Sequence, residues 1–122
     1  FTEADRVENI RRVSEVTRLM NEAGLVVLTS FVSPYISDRQ QAREIIGPEY
    51  IEIYVSTPLE VCEKRDVKGL YKKARNGEIP NFTGVSDPYE APVNAEIVID
   101  TTDISIEKAV DKLIEELEAL GF

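Results

Sequence analysis

Near the start of the chain, apolar residues recur at helical spacing at Val7, Ile10, Val13, Val16, Met20 and Ala23. This predicts an amphipathic helix with one face on a core. Thr2 with Asp5 reads as a capping box at its start, and Gly24 as its stop. Leu25–Phe31 is then a continuous apolar run ending in small polar residues, the pattern of a buried parallel strand. Ser33-Pro34 follows at its C-terminal end, where ligands bind in open α/β sheets, although Ser before Pro is also a common turn pair. Ser37 and Asp38 are expected to cap a helix that reaches Ile46 and stops at Gly47-Pro48. Tyr50–Ser56 is the second expected strand, and Thr57-Pro58 starts a helix through Leu59, Val61 and Cys62. A short helical piece lies between Gly69 and Gly77, and Pro80 to Pro92 reads as a mobile loop. Ala95–Asp100 is the third strand. Thr102 or Ser105 caps a last helix with the face Ile106, Ala109, Val110, Leu113, Ile114, Leu117 and Leu120. Strands alternate with helices, so the expected class is α/β with a parallel sheet.

Composition narrows the chemistry. With 122 residues the chain is expected to be at most one domain, and 43% apolar residues suffice for a packed core. No apolar run approaches the ~20 residues of a membrane span, and the start carries no signal-peptide pattern. A single cysteine, Cys62, cannot form an internal disulfide, so the expected location is cytoplasmic. The absence of histidine excludes His/Cys zinc sites and histidine-based catalysis.

Charge singles out one stretch. Lys64, Arg65, Lys68, Lys72, Lys73 and Arg75 face one acid, Asp66, giving a local balance of +5 in a chain of net charge −9. An otherwise acidic surface repels a long polyanion, so this stretch suits a small anion better than a nucleic acid; a solvated helix face is the plainer alternative. Phe82, flanked by Asn81 and Thr83, is either loop packing or a stacking platform for a flat ring. Arg6 and Asn9 share a helix face, either as surface residues or as holders of an anionic group.

The blocks FTEADRVENIRR, TSFVSPY, DVKGLYKKARNGEIPNFTG and DPYEAP, in this order, resemble adenylylsulfate kinase over essentially the whole chain. The resemblance implies a P-loop-kinase-like parallel sheet flanked by helices, with a mobile lid at about 65–84, residues 1–122 forming the C-terminal portion of the kinase domain. It implies transfer of a phosphoryl group from ATP to the 3′-hydroxyl of adenylyl sulfate, giving 3′-phosphoadenylyl sulfate in sulfate assimilation, with Mg²⁺ required. By resemblance, Phe1 and Phe82 sandwich the adenine of adenylyl sulfate, and Arg6 and Asn9 hold its phosphosulfate and ribose side. Val32 and Ser33 meet it at the strand end, and Lys68 and Asn81 approach it from the lid. Ser33 matches the family's phosphoserine position; direct in-line transfer makes positioning its expected role. Arg65, Thr101 and Thr102 fall on the ATP side. No residue is assigned to metal, nucleic acid or membrane. Homodimerisation and fusion to an ATP sulfurylase are left open.

The sequence departs from the family in one large respect. The pattern G-x-x-x-x-G-K-[ST] and the family's Asp-Gly-Asp-Asn segment are both absent. The chain is therefore expected to be an incomplete domain lacking the first strand and phosphate loop, and to need an N-terminal P-loop segment for catalysis. The implied sheet order places the missing first strand between Leu25–Phe31 and Tyr50–Ser56, leaving both without a partner there. The alternative is a non-catalytic nucleotide-binding module that lost its phosphate loop. Val67 stands where the family pattern carries proline.

Overall fold

Thr2 opens the first helix by a reciprocal cap. Its hydroxyl accepts the Asp5 N–H at 3.2 Å, and the Asp5 carboxylate accepts the Thr2 N–H at 2.9 Å. Two of the donors that a helix start leaves without partners are thereby met. In this computed structural model, which describes residues 2–122, the elements in chain order are α1 (Glu3–Glu22), α2 (Ile36–Ile46), β1 (Ile53–Val55), α3 (Leu59–Arg65), α4 (Leu70–Arg75), β2 (Ile97–Ile99) and α5 (Ile106–Ala119). They fall into two compact units. One comprises the chain up to Tyr50 with Ala74–Ala91, and the other Ile51–Lys73 with Pro92–Phe122.

In the first unit α1 packs against α2. The buried stripe of α1 is Ile10, Ser14 and Thr17, at helical i, i+4, i+7 spacing, and α2 buries Asp38, Arg39 and Ala42. Ser14 and Ala42 are small enough to let two backbones approach, and Ser14 satisfies its hydroxyl by donating to the Ile10 carbonyl at 2.7 Å. The expected face of α1 is thus covered only in part. Val16 and Met20 remain 53% and 44% exposed. The start of α2 also differs from expectation. Tyr35, not Ser37 or Asp38, is the N-cap residue, and it makes no side-chain cap. The Ile36 N–H instead donates to the carboxylate of the distant Glu90 at 2.8 Å.

In the second unit β1 and β2 run parallel, with Ile53 opposite Ile97, Tyr54 opposite Val98 and Val55 opposite Ile99. Flanking bonds extend the ladder, Ile97 N–H to Glu52 O at 3.1 Å and Ser56 N–H to Ile99 O at 2.8 Å. Ile97 and Ile99 are buried while Val98 between them is exposed, the alternation of a strand covered on one face. Helix α5 packs on β2. Ser105 caps it by accepting the Lys108 N–H at 3.1 Å, which settles the choice between Thr102 and Ser105. The class is α/β with a parallel sheet and helices, as expected, though each of these two strands is shorter than the apolar run that predicts it.

Leu25–Phe31 is the main correction. It forms no strand, and Leu28 and Val26 are 85% and 71% exposed. A strand exists by exchanging backbone hydrogen bonds with a neighbour, and among the described residues none pairs with this run. Together with Val16, Leu19 and Met20 it leaves apolar surface that no described residue covers, of the kind that binds other surfaces or aggregates. The 122-residue chain expressed alone is therefore expected to bind a hydrophobic dye and to melt without a cooperative transition. A single sharp monomeric transition in a thermal scan would contradict this.

Candidate functional site

Two groups of side chains stand out, one in each unit. In the second unit, β1 and β2 end side by side, and the chain leaves them at Thr57 and Thr101. The two hydroxyls lie 2.8 Å apart, and the Thr101 N–H donates to the Thr57 hydroxyl at 3.0 Å. Arg65, in the last turn of α3, reaches this point. Its guanidinium donates to the Thr101 hydroxyl at 2.8 Å, to the Thr101 carbonyl at 2.6 Å and to the Thr102 carbonyl at 3.2 Å. The structure thus brings together Arg65, Thr101 and Thr102. A planar fork fixed on carbonyls holds a positive charge at the C-terminal end of the strands, the edge at which open α/β sheets take ligands. Thr102 also bonds the Asp100 carboxylate, through its N–H at 2.9 Å and its hydroxyl at 2.5 Å, and these bonds hold that carboxyl below its usual range.

The basic stretch continues from this point. Asp66, its single acid, ends α3 at φ 25 and turns its carboxylate onto the start of α4, accepting the Tyr71 N–H at 2.9 Å and the Lys72 N–H at 3.0 Å. A carboxylate at a helix start is favoured by the orphan donors there. The sequence carried that signal, an Asp shortly before a Gly-opened helix, but charge counting hid it. Lys68 and Val67 lie exposed in the turn between the two helices.

In the first unit Arg6 is the organising cation. It donates to the Asp87 carboxylate at 2.6 Å and to the Asn81 carbonyl, with its side chain only 14% exposed. The Asp87 carboxylate, with Tyr35 adding to it, pushes the Arg6 pKa further up, so the charge is permanent. Arg6 and Asn81, both expected site residues, are therefore adjacent. The partner Asp87 was not expected, because an ion pair spanning most of the chain leaves no local pattern. Residues 82–87 are laced rather than loose. The Phe82 carbonyl accepts the N–H groups of Val85, Ser86 and Asp87 at 3.0–3.1 Å, its own N–H donates to the Ser86 hydroxyl at 2.8 Å, and Gly84 N–H donates to Asp87 O at 2.7 Å. This turn fixes the backbone of Phe82, which is half-buried.

Ser33 is half-buried and left-handed, at φ 44, a conformation that costs a non-glycine residue energy and needs support from its surroundings. Val32 beside it is exposed. Asn9 lines an open depression of about 450 Å³ together with Asp5, Glu8 and Arg12. Glu8 there is held down to about 2 by its hydrogen bonds from Arg11 and then Arg12. The expectation for Phe1 lies outside the described residues.

One buried group carries a cost. Asp38 is 4% exposed, and its Oδ2 has no hydrogen-bond partner among the described residues. Burial pushes its carboxyl up; the Ser37 side chain opposes this, Glu3 and Glu90 add to it, and Arg39 again opposes. A folded-state pKa above the unfolded one means that the ionised form is penalised by folding, and the penalty vanishes once both states are protonated. In the full-length protein Asp38→Asn is expected to raise Tm at pH 7, the gain fading as pH falls toward about 4. A lower Tm at pH 7, or a gain independent of pH, would contradict this.

Among the described residues, no group of three His, Cys, Asp or Glu side chains is placed to hold a metal ion. No helix among the described residues is long and apolar enough to cross a membrane.

Residues 1–100 match the sequence profile of the family described as adenylylsulphate kinase. The adenylyl-sulfate kinase of Halothermothrix orenii is 57% identical over 122 residues, covering 100% of this chain and 65% of the relative. That of Clostridium acetobutylicum is 54% identical over 118 residues, covering 97% of this chain and 59% of the relative. The bifunctional enzyme NodQ of a Rhizobium species is 58% identical over 114 residues, covering 93% of this chain and 18% of its own length. Among solved structures, the Mycobacterium tuberculosis APS kinase CysC in complex with AMPPNP and APS superposes with a TM-score of 0.90 at 42% identity, covering 97% of this chain and 69% of that one. The chain thus spans about 60% of the length of the curated single-function relatives it matches.

Proposed function

The chain belongs to the adenylylsulphate kinase family, and from that premise we propose that it supplies the adenylyl sulfate pocket and part of the ATP side of an enzyme that makes 3′-phosphoadenylyl sulfate. The observation that carries this reading is the close likeness to a kinase solved with an ATP analogue and adenylyl sulfate together.

The roles follow from the chemistry of each group. The half-buried Phe82, on its laced turn, offers a flat face to adenine, and Phe1 is assigned the opposite face. Arg6 presents a permanent planar cation for the phosphosulfate. Two of its five N–H donors are engaged by Asp87 and Asn81, so the ligand takes others or exchanges with Asp87. Asn9 and Lys68 contribute on the ribose and anion sides. Ser33, with Val32, positions the nucleotide from its left-handed backbone. Arg65, with Thr101 and Thr102, borders ATP and sets positive charge near the transferring group.

In the reaction the 3′-oxygen attacks the γ-phosphorus and the bond to the bridging oxygen of ADP breaks. The hydroxyl proton is released, giving ADP and 3′-phosphoadenylyl sulfate. Holding the two nucleotides in line and neutralising the charge between them supplies most of the catalysis in such transfers. Mg²⁺ is proposed as the metal that accompanies ATP, and no residue of this chain is assigned to it. A phosphate-loop polypeptide is proposed as the partner that completes the ATP site and covers the apolar run Leu25–Phe31. Likeness to part of the bifunctional enzyme NodQ supports fusion to a second enzyme as one setting for such a domain, and an ATP sulfurylase is the proposed fusion partner. The cytoplasm, where ATP is abundant, is the proposed location.

Incubating the full-length protein with γ-labelled ATP and adenylyl sulfate tests the reading. The label is expected on the 3′-position of adenylyl sulfate. Adenylyl sulfate binding with no transfer would replace the kinase by a nucleotide-binding module, and no binding would overturn both.

A further inference from the structure

Arg39 is a buried guanidinium that none of the roles above uses. It donates to the Ser33 carbonyl at 2.5 Å with one nitrogen and to the Glu90 carbonyl at 2.5 Å with another, and it lies over the Tyr89 ring at 5.7 Å from its centroid. Glu90 answers twice. Its N–H donates to the Pro34 carbonyl at 2.8 Å, and its carboxylate takes the Ile36 N–H at 2.8 Å, standing in for the side-chain cap that Tyr35 does not make. Residues 33–36 and 89–90 are thereby stitched together across more than fifty positions of sequence.

This seam joins two places that matter. One end is Ser33, whose left-handed backbone needs outside support. The other lies just past the turn that carries Phe82 and ends at Asp87, the partner of Arg6. A planar fork can hold two carbonyls at once in fixed geometry, which a lysine ammonium on a flexible stem does not reproduce.

We infer that Arg39 and Glu90 are positioning residues for the adenylyl sulfate pocket. They lock the Ser33 loop to the segment that follows the Phe82 turn, so that both reach the same nucleotide. This inference rests on the function proposed above.

The test uses the full-length protein with Arg39→Lys, Glu90→Ala and Glu90→Gln. Arg39→Lys and Glu90→Ala are expected to raise KM for adenylyl sulfate about tenfold while KM for ATP stays within about twofold. Glu90→Gln keeps an acceptor for the Ile36 N–H and is expected to restore the native KM. Hydrogen exchange at Ile36 and Glu90 is expected to speed up in Arg39→Lys, with mid-α1 amides unchanged. Equal losses for both substrates, exchange that rises throughout the chain, native exchange at both amides, or failure of Glu90→Gln to rescue would each overturn the inference. Wild-type protein that does not phosphorylate adenylyl sulfate would refute the proposed function instead, and the exchange comparison would still decide whether the seam is held by Arg39.

Discussion

Arg65→Ala is expected to lower kcat/KM for ATP by about 10²–10³-fold in the full-length protein while adenylyl sulfate affinity stays near native. The magnitude is that of removing one pre-aimed charge or donor from a transferring group. The geometry explains why so much rests on one side chain. Arg65 is exposed at the end of a short helix, and without its three bonds to Thr101 and Thr102 its position would be free to wander. Held there, its charge needs little reorganisation when phosphate charge builds up. Arg65→Lys is expected to recover little, because an ammonium cannot span the same hydroxyl and carbonyls in a plane. Steady-state kinetics with ATP varied checks this. A variant that loses Tm but keeps kcat/KM for ATP would make Arg65 a bracket for the residues after β2 and nothing more.

Phe82→Ala is the second large effect. It is expected to weaken adenylyl sulfate binding by about 1–3 kcal/mol, the range for stacking one base on one aromatic ring, and to leave Tm nearly unchanged. The second half of that expectation comes from the turn. Its bonds run through the Phe82 backbone N–H and carbonyl and the Ser86 hydroxyl, and all of these survive the substitution. Calorimetric titration with adenylyl sulfate, paired with a thermal melt, separates the two roles. Native affinity with a large loss of Tm would make the ring a packing residue.

Features carried by neighbouring residues were legible in the sequence. The Thr2–Asp5 cap, the Ser105 cap and the glycine stop at Gly24 each depend on a few adjacent positions, so pattern and structure agree. The two parallel strands were legible because apolar β-branched runs flanked by turn residues have few other uses. Leu25–Phe31 had the same pattern and gave no strand, because a strand is a property of a pair and pattern describes one member. The contacts around the candidate site were largely illegible for a related reason. Arg6 with Asp87, Arg39 with Glu90 and Arg65 with Thr101 are each brought together by the fold, not by spacing. Resemblance to a family nominated Arg6, Arg65 and Thr101 but not Asp87, Arg39 or Glu90. Asp66 is the exception, since its cap on α4 had a local signal that the surrounding basic residues obscured.

The most direct test of the account is a crystal structure of the full-length protein grown with adenylyl sulfate and a non-hydrolysable ATP analogue. The account predicts the adenine of adenylyl sulfate stacked on Phe82, its phosphosulfate within hydrogen-bond reach of Arg6, and its 3′-hydroxyl aimed at the γ-phosphate. A purine bound elsewhere, or a Phe82 ring turned away from an occupied pocket, would contradict it.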